Sequence, residues 1–414
     1  MRFKLPVFLA ALVAAAPAFG QVLTLDEAIR LGEMHSPRLA AQRHAIVATA
    51  EQIGRAAELP DPKLRLGLEN LPVTGADRYR YDRDFMTMRS IGLMQEFPSG
   101  EKRRARNARA EAMHALERAS NDLQRAVVRR EVAQAWFEVH FAEKSLAALE
   151  RLTQQFKLQI EAVAAGVARG RQVAAESYAL RQAFEQANDR VIEQRRMLAR
   201  ARIQLGTWLA EDAQRPLGAA PGPLRAPPPT DELLARLAEH PLLRTLEERE
   251  GLARSEVALA RSGRRSDWSL EVSFAQREPA FDNMVSVMLT MDLPWQTARR
   301  QDKDIASRLA EAEQVLAQRE EARRQQVAEL HGWRADFDAA QARVERAARI
   351  LLPLARDRTA ATRAAYQGGR GELGAVLEAE RSHTETEAGL AQAELERARA
   401  WAALNYAYLR GEQQ

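Results

Sequence analysis

Cysteine is absent from the 414-residue chain. That excludes disulfides, thiolate metal sites and cysteine nucleophiles. Aromatic residues are scarce at 6%, too few for a thick globular core, whereas charged residues make up 29%. With Ala, Leu, Glu and Arg dominant, this is the balance of long helices and coiled coils. Beyond the N-terminus there is no apolar run long enough for a transmembrane helix, so any membrane crossing falls to strands. A strong charge excess is also lacking.

Arg2 and Lys4 precede an apolar run over residues 5–16, and Ala18-Phe19-Gly20 supplies small residues before Gln21. This pattern predicts a signal peptide over 1–20. Gln21, rather than Cys, follows it, which excludes an acylated N-terminal cysteine. Removing Arg2 and Lys4 takes the formal net charge from +4 to +2, so the high pI gives no case for nucleic acid.

The sequence repeats itself. "LDEAIRLGEMHSPRLAAQ" (25–42) is echoed by "TDELLARLAEHPLLRTLE" (230–247), "IGLMQEFP" (91–98) by "VSVMLTMDLP" (285–294), and "AGVARGRQVAAES" (165–177) by "YQGGRGELGAVLE" (366–378). "PLGAAPGPLRAPPP" (216–229) reads as a Pro/Gly-rich linker between the copies. The predicted organisation is a first structural repeat over 21–215, the linker, and a second repeat over 230–414. Each repeat holds two short helices, two strands and a long helical hairpin.

Strands are predicted at about 63–71 and 86–97 in the first repeat and about 268–276 and 284–293 in the second. Their residues alternate. One face carries Leu64, Leu66, Leu68, Ile91, Leu93, Trp268, Leu270, Val272, Phe274, Val285, Val287 and Leu289, continued by Phe97, Met291 and Leu293. The other carries Lys63, Arg65, Glu69, Ser90, Glu96, Glu271, Ser286, Thr290 and Asp292. Such alternation over roughly ten residues suits transmembrane barrel strands. Four strands cannot close a barrel, because such barrels start at about eight, so several chains must share one. The competing reading is a small sheet packed on helices in a soluble protein.

Long helices are predicted from Ser99 to about Ala168 and from Thr297 to Gln367, each roughly 105 Å long. In the second, Leu330, Phe337, Val344 and Leu351 recur every seven residues, followed at three by Trp333, Ala340, Ala347 and Leu354, which predicts a coiled-coil seam. A looser series in the first is Leu116, Leu123, Phe137 and Leu149. Pro353 predicts a local kink.

These residues resemble the TolC-like outer-membrane efflux channels, the outer membrane factors, over the whole mature chain. The stretch "LLPLARDRTAATRAAYQGGRGELGAVLEAERSH" (351–383) is similar to the heavy-metal cation-efflux branch. The resemblance implies a mostly α fold with a transmembrane β-barrel: a homotrimer in which four strands per protomer contribute to a shared twelve-stranded barrel, and long antiparallel helices form a periplasmic α-barrel tunnel. It implies a passive outer-membrane exit duct of a tripartite system, working with a periplasmic adaptor (membrane fusion protein) and an inner-membrane RND-type pump, with no catalysis and no cofactor. The aperture and adaptor-docking turns then map to Gly166, Val167, Arg169, Gly170, Arg171 and Gln172, and to Tyr366, Gly368, Gly369, Arg370, Gly371, Glu372 and Leu373. Val167 stands where the second turn has Tyr366. The alternative is a secreted periplasmic coiled-coil scaffold or adaptor without a barrel.

Other signals weigh less. His35, His44, His114, His140, His240, His331 and His383 are scattered with no i, i+4 pair, so they read as solvated or tunnel-facing rather than as a metal site. Met86, Met88, Met94, Met284, Met288 and Met291 cluster in the strands and read as barrel filling or lipid contact. "EKRRARNARAE" (101–111) reads as a charged collar beside the membrane rather than a nucleic-acid site. Gly368, Gly369 and Gly371 lack the strand and Lys-Ser/Thr of a phosphate loop.

Overall fold

A computed structural model describes residues 22–168, 174–220 and 226–408; the signal peptide predicted over 1–20 therefore lies outside the described residues. Thr24 opens α1 (Leu25–His35) by accepting a hydrogen bond from the Glu27 amide at 3.3 Å, with Asp26 and Glu27 in the first turn. Proline sets the next start. Pro37 begins α2 (Pro37–Ala56), as Pro241 begins α6 (Pro241–Ser262) after the short α5 (Thr230–Ala235), because a missing N–H costs nothing in a first turn. Strands β1 (Lys63–Glu69) and β2 (Met88–Phe97) lead into α3 (Gly100–Ala168) and α4 (Ala174–Leu209). Strands β3 (Trp268–Gln276) and β4 (Met284–Met291) lead into α7 (Gln301–Arg346), α8 (Leu352–Gln367) and α9 (Leu373–Asn405).

Three strands are shorter than the sequence predicts. Asn70 turns the chain with φ of 56° and ends β1, and Asp84 accepts from the Met86 amide in a turn that delays β2. β4 stops at Met291, three residues before Pro294. The chain divides into two compact units: Pro37–Ala126, Thr230–Leu330 and the residues from Ala407 form one, and the chain up to Ser36, Val127–Pro229 and His331–Tyr406 form the other.

The first of these units holds the sheet, ordered β1-β2-β3-β4 and antiparallel throughout. Its helices pair antiparallel. The Gln42 amide on α2 donates to the Glu117 carbonyl on α3 at 3.0 Å, and Thr49 meets His114 Nδ1 at 3.1 Å. On α6, Glu250 is buried and accepts Arg319 of α7 at 2.9 Å, while Arg264 reaches Asp302.

In the other unit, α9 runs antiparallel to the latter part of α3, tied by Lys144–Glu394, Arg151–Glu387 at 3.2 Å and Gln159–Glu380 at 2.7 Å. The core is made by Val128, Val132, Trp136, Phe137 and Val139, all fully buried. The Trp136 indole donates to the Leu23 carbonyl at 3.1 Å, and Trp401 stands edge-on to Phe137. At Gly32 a Cβ would lie 2.6 Å from Val132, so only glycine lets α1 approach α3 this closely. Leu23 also pairs with Leu217, which pins the start of the linker; residues 221–225 lie outside the described set.

The long helix predicted over 297–367 is not uniform. A 3-10 turn (Thr297–Arg299) precedes α7, and a π-helical turn (Ala347–Leu351) separates α7 from α8. Pro353 accounts for the π turn: its ring would clash with the carbonyl four residues back and it has no N–H to donate. The extra residue moves the seam. Phe337, Ala340, Val344 and Ala347 are buried as the heptads require, yet Leu351 and Leu354 face solvent. Their places are taken by Leu352, packed on Val344, Ala347, Leu390 and Ala393, and then by the buried Thr359.

Candidate functional site

Strand register brings the apolar side chains into rows. Leu66, Ile91, Phe274 and Val285 are successive partners across the four strands, as are Leu64, Leu93, Val272 and Val287. Leu270 pairs with Leu289, and Trp268 with Phe97 and Met291. Apart from half-buried Leu270 and Phe97, these residues and Leu68 are exposed. A continuous apolar surface of this extent is foreign to soluble monomers, whose patches seldom exceed a few hundred Å². Aromatic pairs mark both ends: Phe97 stacks on Trp268 at 4.2 Å at the helix end, and Phe85 meets Phe281 at 6.3 Å at the hairpin end. Aromatic girdles flank the apolar band of membrane barrels.

The opposite face is polar; it is open on β1 and β4 and half-buried along β2 and β3, where Gly92 and Ala275 are buried. Lys63 pairs with Glu96, Ser90 donates to Glu69 at 2.7 Å, and Arg65 reaches Glu271 at 2.6 Å. Met88, Met94, Met284 and Met288 share this face, whereas Met291 lies on the other. The sheet's outer edges, β1 and β4, have no strand partner among the described residues. No helix among the described residues is long and apolar enough to cross a membrane.

The helical turns form a second candidate surface. Gly166 and Val167 lie at the end of α3; Arg169, Gly170, Arg171 and Gln172 fall outside the described residues. Tyr366 is in the last turn of α8, Gly368 caps it, Gly369 takes φ of 68°, and Leu373 starts α9. The Arg370 amide donates to the Ala365 carbonyl at 2.9 Å and the Gly369 amide to that of Tyr366 at 3.0 Å, the two bonds of a Schellman motif. Gly371 returns so close that a Cβ there would lie 3.1 to 3.2 Å from the Tyr366 amide nitrogen and Ala365. Arg370 and Glu372 are exposed.

The fold brings the described end of the first turn region to the second. Val167 and Tyr366 pack on one apolar cluster with Leu152, Phe156, Val163, Leu180 and Leu373. The Tyr366 hydroxyl donates to Glu176 Oε2, in the first turn of α4, at 3.2 Å. Deeper in, Glu380 is 2% exposed and its Oε1 accepts both Arg363 at 2.6 Å and Gln159 at 2.7 Å. Sequence reasoning missed Glu176, Arg363 and Glu380, because a polar contact between distant helices has no period in the chain.

The histidines depart from the solvated expectation in part. His35, His44 and His331 are exposed, but His140 stacks on Trp136 at 5.3 Å and His240 is buried against Tyr408. Burial pushes the His140 pKa down from its ordinary value. Burial likewise pushes Tyr408 up to about 12, and its hydroxyl donates to the Leu233 carbonyl at 2.6 Å. Among the described residues no group of three or more His, Cys, Asp or Glu could hold a metal ion.

An open antiparallel sheet with one apolar and one polar face, joined to long paired helices, is the fold of outer-membrane efflux channels. The chain matches a membrane protein from Pseudomonas aeruginosa with a TM-score of 0.77 at 18% identity, covering 92% of this chain and 93% of that one. It matches the outer membrane protein VceC from Vibrio cholerae with a TM-score of 0.75 at 17% identity, covering 92% and 95%. The transmembrane channel CusC gives 0.74 at 17% identity, covering 92% and 91%. No protein-family model and no curated protein matches the sequence. The resemblance read from the sequence is thus borne out in the fold.

Proposed function

We propose that this protein is the outer-membrane exit duct of a tripartite efflux system. The observation that carries the reading is the sheet: one face needs lipid, the other needs water, and both edges need further strands. Three copies joined β1 to β4 give a barrel of twelve strands, above the minimum of about eight for such barrels. The polar face then lines the lumen, the hairpins 70–87 and 277–283 lie outside the cell, and the helices extend into the periplasm. On this reading the two sequence repeats, released from a signal peptide over 1–20 and joined by the linker, supply matching halves of each protomer.

The turns at 166–172 and 366–373 are the periplasmic aperture and the docking surface for an adaptor. The Tyr366–Glu176 bond holds the second turn to α4 and so restricts the resting pore. Energy and cargo choice belong to the inner-membrane pump, and the protein catalyses nothing. Heavy-metal cations as cargo rest on the resemblance of 351–383 alone.

The test combines fractionation with surface labelling. Recovery as a stable oligomer with the outer membrane is expected. Cysteines introduced at Asp77 and Asp282, in the two hairpins, are expected to react with an impermeant thiol reagent on intact cells. A soluble periplasmic monomer would favour the scaffold reading and overturn the duct.

A further inference from the structure

The connection from β4 to α7 has a composition unlike its surroundings. Leu293, 69% exposed, follows the apolar alternation of β4, and Trp295 is 87% exposed. Arg299 and Arg300 come next, on a 3-10 turn, and both are exposed. Neither has a carboxylate partner among the described residues. Three basic residues near them do: Arg264 holds Asp302, Arg265 holds Glu101 at 3.2 Å, and Lys102 holds Asp267. Two uncompensated guanidiniums therefore stand beside two uncovered apolar side chains. The position is equally specific. The Asp292 amide donates to the Asp267 carbonyl at 3.1 Å, so the connection leaves the sheet level with Trp268 and its stacked partner Phe97, at the helix end of the apolar face.

We propose that residues 293–300 form a binding site for anionic phospholipid in the periplasmic leaflet. This rests on the channel reading. Leu293 and Trp295 enter the boundary between acyl chains and headgroups, where indole rings concentrate. Arg299 and Arg300 take the phosphate through charge-assisted hydrogen bonds, which a water-filled surroundings would leave unmade. A leaflet supplies both the apolar cover and the anion. The alternative cover is the next copy's β1, but the residues at its helix end, Asp61, Pro62 and Lys63, offer charge and little apolar surface.

The experiment uses the full mature chain in vesicles whose acyl chains carry bromine, a quencher of tryptophan emission. Brominated phosphatidylglycerol is compared with brominated phosphatidylcholine. Quenching is expected to favour the anionic lipid by roughly fivefold per guanidinium in apparent affinity. R299Q/R300Q is expected to abolish the preference with insertion intact, and W295F to remove the preferentially quenched emission. Equal quenching by the two lipids, or a preference surviving R299Q/R300Q, would overturn the proposal while leaving the channel reading in place. Loss of the oligomer in R299Q/R300Q on native gels, rescued by Asp61→Asn, would assign the arginines to the next copy and also overturn it. Quenching by neither lipid would mean that the sheet does not enter a bilayer, and both readings would fall.

Discussion

Arg65 on β1 and Glu271 on β3 form an ion pair at 2.6 Å across β2, a strand that carries neither of them. Gly92 makes this passage possible. It lies opposite Arg65, and a Cβ there would sit 3.0 Å from Ser273 Cβ and 3.3 Å from Glu271 Oε1. Gly92→Val is expected to displace Glu271 and lower the melting temperature of the assembled protein. The ion pair itself is partly exposed, so a double-mutant cycle of Arg65→Ala with Glu271→Ala is expected to give a coupling of about 0.2–1 kcal/mol. A coupling well above that range would place the pair in a drier setting than the open polar face.

The two faces of the sheet differ in their tolerance of charge. Val272→Arg, at the middle of the apolar face, is expected to cost roughly 2–4 kcal/mol at bilayer midplane and to deplete the assembled oligomer. Ser286→Arg, on the polar face of the adjacent strand, is expected to leave assembly intact and to change single-channel conductance. Equal loss from both substitutions would reject the face assignment.

Around the second turn three glycines predict three outcomes. Gly369→Ala places a side chain at φ of 68° and is expected to cost about 1–2 kcal/mol. Gly371→Val meets backbone that cannot yield and is expected to disrupt the turn; on the channel reading it raises resting conductance without lowering the level of assembled oligomer. Gly374→Ala, in open space at the start of α9, is expected to stabilise by about 0.4–1 kcal/mol. Thermal melts and bilayer conductance of the three variants separate these effects.

His140 gives the unit around Trp136 a pH dependence. Burial lowers its pKa, the Glu143 carboxylate opposes this, and Lys144 adds to the lowering. The unfolded chain therefore binds the proton more tightly than the folded one. Stability from this group is full above the ordinary pKa of 6.5, falls as pH drops below it, and levels off beneath the depressed folded value. His140→Phe, which keeps a ring against Trp136, is expected to flatten the melting temperature between pH 7 and the acid plateau. An unchanged slope in the variant would assign the dependence to other groups.

The sheet was readable from sequence because its apolar face is uncovered among the described residues. Leu66 is exposed on one face while Arg65 reaches Glu271 on the other, so period-two alternation survives undisturbed in the chain. Gly368, Gly369 and Gly371 likewise announced the second turn, since a close reversal admits few other residues. The helical core was harder. In an alanine-rich helix, Val128, Val132 and Trp136 do not stand out from Leu116 or Leu123, which the structure leaves half-buried. The heptad series continued formally through Leu351 and Leu354, and only Pro353 signalled that the ladder changes there. Glu380 was invisible because burial of a carboxylate depends on Arg363 and Gln159, brought in by other parts of the chain.

In the proposed trimer, the edges of β1 and β4, which have no strand partner among the described residues, carry a genetic consequence. If each copy must lend an edge to both neighbours, one defective copy spoils the ring that contains it. Co-expression of a wild-type chain with an edge-blocked variant at equal levels would leave only about one trimer in eight free of the variant, on random mixing of a symmetric ring. An edge variant such as Leu289→Pro would then behave as a dominant allele rather than a recessive one.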